Sequence, residues 1–194
     1  MKQEFTKSLP KRRNQAGASL IMVLMILVVV SLLGVGGAQI AHMSERGARN
    51  DRDMQIAWQA AEAALLDAEL DMTVNRAVIF DGKNQSQFSA GCGTSGQFIG
   101  LCTATSATKP AWLTVDFTAT GNGAPTTEFG SYTSRGFASG ATGIQPAKAP
   151  RYIVELVPDP VGDKSNPSFL YRVTSMGFGP RDDIQGVLQM IYRI

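Results

Sequence analysis

From Ala18 to Ala41 the chain carries no charged residue, twenty-four positions in a row. A helix of that composition has no polar face to offer water, so it belongs in lipid or in a protein core. At 1.5 Å per residue it would be about 36 Å long, and a bilayer's hydrocarbon core needs only about 20 apolar residues. The residues before it are basic: Lys2, Lys7, Lys11, Arg12 and Arg13 stand against Glu4 alone. By the positive-inside rule, this leader stays in the cytoplasm and the remainder leaves it. Gly34 to Ala38 could imitate a signal-peptidase site. However, a secretory h-region usually runs about 7–15 residues. This run is longer, and helix rather than a fresh mature start follows it.

The helix is expected to continue past the apolar run. "HMSERGARNDRDMQIAWQAAEAALLDAELDM" alternates charge through Glu45, Arg46, Arg49, Asp51, Arg52 and Asp53. Met54, Ala57 with Trp58, Ala61, Ala64 with Leu65, and Ala68 then recur at spacings of three and four, which makes one apolar stripe. Glu62, Asp67, Glu69 and Asp71 are expected mostly off that stripe. Gly47 is the weak point, costing about 1 kcal/mol relative to Ala inside a helix. A continuous helix from about Ser19 to Met72 would reach on the order of 80 Å. Its second half, residues 42–72, is amphipathic and suited to carry a globular head on one side.

Between Asp81 and Pro150 lie eleven of the chain's twenty glycines, with many Ser, Thr and Ala. "SAGCGTSGQFIGLC" and "FGSYTSRGFASGATGIQPAKAP" read as loops, and "AWLTVDFTA" (111–119) alternates well enough to predict a strand. The last third predicts three more, at 151–157, 169–177 and 186–194, separated by Pro/Asp and Gly/Pro turn signals. Short consecutive connections favour antiparallel pairing. The expected fold is therefore α+β: a long N-terminal helix, hydrophobic in its first half, packed through its second half on a three- or four-stranded antiparallel sheet.

Cys92 and Cys102 fall on the exported side, where they can pair. In the chain-entropy view a bridge closing about 15 residues stabilises by about 3 kcal/mol, and a shorter loop by less. Two cysteines and the single His42 cannot furnish a zinc site, and no metal is expected. "VPDPVGDKSNP" offers Asp159 and Asp163 to calcium, but without the ligand spacing of a binding loop; it reads as an exposed turn. Arg181, Asp182 and Asp183 suit a solvated hairpin. A formal net charge of only +2 gives no reason to invoke nucleic acid. There is no G-x-S-x-G and no GxxxxGK[ST], so neither catalytic residues nor a cofactor are expected.

The basic leader, Gly17, the apolar helix, "AWQAAEAALLDAE" and "YRVTSMGFGPRDDIQGVLQMIYR" together resemble the PilX-type minor pilins of bacterial type IV pili. The resemblance implies a type IV pilin-like fold with four parts: a cytoplasmic prepilin leader (1–17), a transmembrane helix that becomes filament core (18–41), its amphipathic continuation (42–72) and a periplasmic or extracellular head (73–194). It implies cleavage by a prepilin peptidase between Gly17 and Ala18, with N-methylation of Ala18. The subunit would be single-pass in the inner membrane, with its N-terminus cytoplasmic, before extraction to the pilus tip and cell surface. Implied partners are other minor pilins and pilus subunits, the peptidase, the inner-membrane assembly platform and a tip adhesin.

Two positions depart from the usual pilin pattern: Ala18 stands where Phe is common, and Met22 where Glu is common. The missing carboxylate suggests a tip subunit that primes assembly rather than one that repeats along the shaft, with adhesion or aggregation as associated roles. Gly34, Gly36 and Gly37 either let helices pack closely or mark a segment that melts on entry to the filament. The rival readings are a minor pseudopilin of a type II secretion system and an uncleaved, single-pass periplasmic binding module.

Overall fold

The computed structural model describes residues 18–103, 109–140, 144–162, 165–166 and 168–193. By its internal contacts the chain divides into two compact units, Met1–Ala48 and Arg49–Ile194. One helix, α1, runs Ala18–Leu70. It is followed directly by a π turn, Asp71–Asn75. The long helix and its packing on a mostly antiparallel sheet agree with the expected α+β class. The sequence places the helix end at Met72, inside that π turn.

The sheet belongs to the second unit. Its strands are β1 (Leu101–Cys102), β2 (Thr127–Glu128), β3 (Arg151–Pro158), β4 (Phe169–Phe178) and β5 (Gln185–Tyr192). Strands β3, β4 and β5 form an antiparallel meander, with Tyr152 opposite Ser175 and Gly177 opposite Gly186. The other edge of β3 is shared: β2 pairs with it antiparallel and β1 parallel. The three long strands match the alternating segments of the sequence. The two short ones come from the glycine-rich middle, where no periodicity announces them, and β1 makes the sheet mixed rather than purely antiparallel.

The expected strand at 111–119 is absent. Ala111–Leu113 is a short 3₁₀ turn followed by further turns. Local side chains compete there for the backbone groups a strand would use. The Thr114 hydroxyl donates to the Ala111 carbonyl at 3.1 Å, and Asp116 accepts from both the amide (2.8 Å) and the hydroxyl (2.6 Å) of Thr118. The alternating apolar residues still have a use. Ala111 and Phe117 are buried, and Trp112 and Val115 pack beside them over Ile153 and Met176.

The two faces of the sheet are covered differently. Tyr152, Val154, Leu156, Tyr171 and Val173 face α1 and form one core with Ala64, Ala68, Met72, Phe80 and Phe88. The opposite face carries Ile153 under Cys92, Cys102, Ala111 and Phe117. On the helix side the contact is backbone on backbone. A Cβ added at Gly177 would collide with the Ala57 carbonyl oxygen and the Ala61 amide nitrogen. One added at Gly186 would lie 3.1 Å from the Ala57 carbonyl carbon. The Ser175 hydroxyl donates to the Ala61 carbonyl at 2.9 Å. Alanine on the helix and glycine on two adjacent strands thus let the elements approach as no larger pair could.

The buried face of α1 differs from the predicted stripe. Ala57, Ala61, Ala64 and Ala68 are buried as expected and Ala60 is buried with them, but Trp58 is half exposed. Asp67 and Asp71, expected mostly off the stripe, have no exposed surface at all. Both stand three or four residues from stripe alanines, on the same face; the geometry of the helix decides, not the residue type.

Gly177→Ala is predicted to cost about 3 kcal/mol or more, the upper range of overpacking costs, since backbone must move to admit the methyl. Gly136→Ala, with nothing within 4 Å of the added carbon, should stay within about 0.5 kcal/mol. Denaturant unfolding of the two detergent-solubilised variants checks this, and equal stabilities would contradict it.

Candidate functional site

The N-terminal half of α1 is an apolar surface that no other described residue buries. The helix starts at Ala18 and has no acidic residue in its first turn. Met22, its fifth residue, is 67% exposed. Among the described residues this is the one helix long and apolar enough to cross a membrane, with a mean hydropathy of 2.8 in its best window and none of that window buried. Gly34, Gly36 and Gly37 lie within unbroken helix, and an added Cβ at any of them would meet nothing within 4 Å. They leave open notches where another backbone can come close. The expected leader, with Gly17, lies outside the described residues.

In the head, three fully buried carboxylates among the described residues organise the loops, and each is satisfied by named partners. The first is Asp71. Five residues apart on an ideal α-helix, Asp71 and Arg76 would be rotated by roughly 140°. The π turn, closed by the Arg76 amide donating to the Asp71 carbonyl at 2.8 Å, brings them face to face. The Arg76 Nε lies 2.9 and 3.0 Å from the two carboxylate oxygens, and its Nη2 also bonds Oδ2. The Tyr152 hydroxyl donates to the same Oδ2 at 2.8 Å. The rest of the guanidinium reaches the glycine-rich loop: Nη1 donates to the carbonyls of Gln97 (2.8 Å) and Ile99 (3.2 Å). Its plane stacks on Tyr132, 3.8 Å from the ring centre. Such a contact is favourable for Arg over an aromatic face.

The second carboxylate, Asp67, one turn earlier, accepts from the Gly130 amide at 2.8 Å and from the Thr133 hydroxyl, with Arg135 at 3.5 Å. The third, Glu155 on β3, faces the other side of the sheet. It pairs with Arg172 through two bonds of 3.0 Å and accepts the Ala111 amide at 2.7 Å. Isolated buried charges would be costly, and a buried pair is weak evidence of net stability. What these groups supply is placement. Each fixes a loop that has too few apolar residues to place itself.

Cys92 and Cys102 are joined by a disulfide, with their Cα atoms 4.1 Å apart. Cys102 lies in β1, so the bridge ties the loop to the sheet at one end while Arg76 holds its middle. The Tyr132 hydroxyl adds a bond to the Gly96 carbonyl at 2.7 Å. Among the described residues no cluster of His, Cys, Asp and Glu could hold a metal. Asp159 is engaged by Arg193 (2.9 Å) and the Val161 amide (3.0 Å), and Asp163 lies outside the described residues. Arg181 pairs with Asp183, and Lys148 with Asp182 at 2.9 Å, on an exposed hairpin. Arg76 and Glu155 carry no motif or spacing signal of their own in the sequence. The one available signal was the placement of Asp67 and Asp71 on the alanine face, since buried carboxylates require cations or donors.

Two family models match the chain. The one described as PilX N-terminal covers residues 16–66, and the one described as type IV pilus assembly protein PilX C-terminal covers residues 98–194. Comparison with curated proteins and with solved structures gives no match. The segment between the two matches holds Asp71, Arg76 and Cys92.

Burial raises the Tyr152 hydroxyl well above its ordinary 10.0; the Asp71 charge beside it acts in the same direction and Arg76 opposes. The folded state therefore keeps this proton at pH values where the unfolded chain has released it. Its contribution is complete below about pH 10 and is lost as pH rises beyond that. Tyr152→Phe should lower stability at neutral pH by about 1.5–3 kcal/mol, the worth of a hydrogen bond to a charged group, yet decline less steeply above pH 10 than the parent. Urea midpoints from pH 7 to 11 measure both effects, and parallel curves would contradict this placement of the proton.

Proposed function

The chain belongs to the PilX family of type IV pilus assembly proteins, and from that premise we propose that it is a tip-proximal minor pilin that primes pilus assembly. In this reading the basic leader is removed between Gly17 and Ala18 by the prepilin peptidase, and the Ala18 amine is methylated. Residues 18–41 first sit in the inner membrane with the head in the periplasm. The assembly platform then draws them out, so that contacts with neighbouring helices replace lipid. The exposed apolar surface of α1 and the open notches at Gly34, Gly36 and Gly37 support this, because they suit close packing against other helices.

The observation that carries the tip assignment is Met22. In the pilin pattern that the chain resembles, a glutamate at the fifth mature position neutralises the N-terminal amine of an adjacent subunit. Here that position is an exposed thioether, and no acidic residue stands in the first turn. An amine buried without a counter-charge is costly, so a subunit lacking the carboxylate is a poor repeating unit. At the top of the filament there is no further subunit to satisfy, and the cost does not arise. Other minor pilins would complete the priming complex, and the head would be free to carry an adhesin or to touch other cells. The matches to pilus assembly models favour this reading over the pseudopilin alternative.

Immunogold labelling of sheared pili tests the assignment. Label is expected at one end only for the native chain. Met22→Glu is expected to let some label enter the shaft. Even labelling of the native chain along the shaft would overturn the tip assignment.

A further inference from the structure

Strand β5 is the last in the sheet, and among the described residues no strand pairs with its outer edge. It stays in unbroken register with β4 through all eight residues, Gln185–Tyr192. Within it there is no charged residue, no proline and no bulge. Natural sheets blunt such edges with lysine, proline, bulges or a covering loop, because a bare row of amides and carbonyls recruits another strand. Among the described residues none of these devices is present. The described residues that cover the outer face gather over Ile153 and Met176, and none of β5 belongs to that cluster. Val187 and Ile191, opposite Met176 and Arg172, remain 43% and 59% exposed. On the helix side Trp58 stands beside Gly186 and is 51% exposed. The charges that flank the strand are engaged within the chain: Asp182 with Lys148, Asp183 with Arg181, and Arg193 with Asp159.

We propose that the outer edge of β5 receives an extended segment of another pilus protein as an added strand. Main-chain hydrogen bonds would supply most of the recognition, as in other cases of strand addition. Side-chain selection follows from the pleat. Residues of the incoming segment that alternate toward the outer face meet Val187 and Ile191, and those on the other face meet Trp58. The segment should therefore be uncharged and apolar at alternate positions.

A second copy of this chain is a poor occupant. Antiparallel pairing of β5 with itself in one continuous sheet requires a two-fold axis perpendicular to that sheet. This axis reverses the chain direction of Arg49–Leu70 in one copy relative to the other, whereas heads leaving one membrane run the same way. The proposal rests on the reading of this chain as one subunit of a pilus complex.

The test places a photo-crosslinking amino acid at position 187 or 191 of the full-length chain in piliated cells, with Leu66 on the exposed face of α1 as the control position. Cross-linked peptides are sequenced by mass spectrometry. Positions 187 and 191 are expected to give adducts to one contiguous segment of one other pilus protein, and position 66 is not. Ile191→Lys is expected to abolish the adduct from position 187, and Val187→Lys the adduct from 191, with the melting temperature of each chain unchanged. Adducts to a second copy of the chain, adducts scattered over several proteins, or none at all would overturn the proposal, as would adducts that survive both lysines. Absence of any adduct in the chain without these lysines, while tip labelling of sheared pili persists, would remove the strand addition alone. An adduct in cells whose pili carry no label would instead remove the tip assignment and leave the strand addition standing.

Discussion

The head depends on one close approach: the backbone of α1 at Ala57–Ala61 lies directly on the glycine pair Gly177 and Gly186. No side chain separates helix from sheet at that point. Two consequences follow from the rigidity of a helix. Once Ala57 is fixed against β4 and β5, the residues three and four apart along the same face must also enter the core, whatever their chemistry. Ala64 and Ala68 meet the tyrosine and valine face of β3 and β4, and Asp67 and Asp71 are carried in with them. The buried carboxylates then draw in the loops, because each needs donors that only the loops supply. Asp71 collects Arg76 and Tyr152, and through Arg76 the carbonyls of the disulfide loop; Asp67 collects Gly130, Thr133 and Arg135. A weakly apolar middle region acquires a defined structure in this way, through hydrogen bonds and ion pairs to groups that the helix has already placed.

How much of this could be read from the sequence depends on whether a residue's role is local. Strands β3, β4 and β5 were legible because each alternates over seven or more residues, and the observed limits differ from the expected ones by at most two positions where both are described. The long helix was legible for the same reason. The glycine-rich middle carried no period, so β1 and β2 went unseen. At 111–119 the period misled, since turns built by Thr114 and Asp116 can also present alternate apolar residues to a core. Asp67 and Asp71 were expected mostly off the apolar stripe although their spacing from Ala64 and Ala68 placed them on the buried face. Their partners lie up to about eighty residues away, and no short-range pattern names them. The disulfide could be inferred from export, whereas the role of Gly17 could be read only through resemblance to a family.

Function divides along the same helix. Its second half is specified by what it packs against in the head. Its first half has no buried residue in its most apolar window and carries no charge from Ala18 to Ala41, and an added Cβ at Gly34, Gly36 or Gly37 would meet open space among the described residues. Such a surface suits lipid and suits other helices of the same kind, which is what passage from a membrane into a filament requires. The head then needs contacts of its own with neighbouring subunits. The unprotected edge of β5 is a surface on which such contacts can form.

The proposed function depends on release of this apolar helix from its leader and its entry into a filament. The most direct measurement is the mass of the N-terminal peptide of the chain recovered from purified, sheared pili. The expected peptide begins at Ala18 with a single methyl group on its amine. A peptide that retains Met1 through Gly17, or one that begins after the small residues at 34–38, would contradict it.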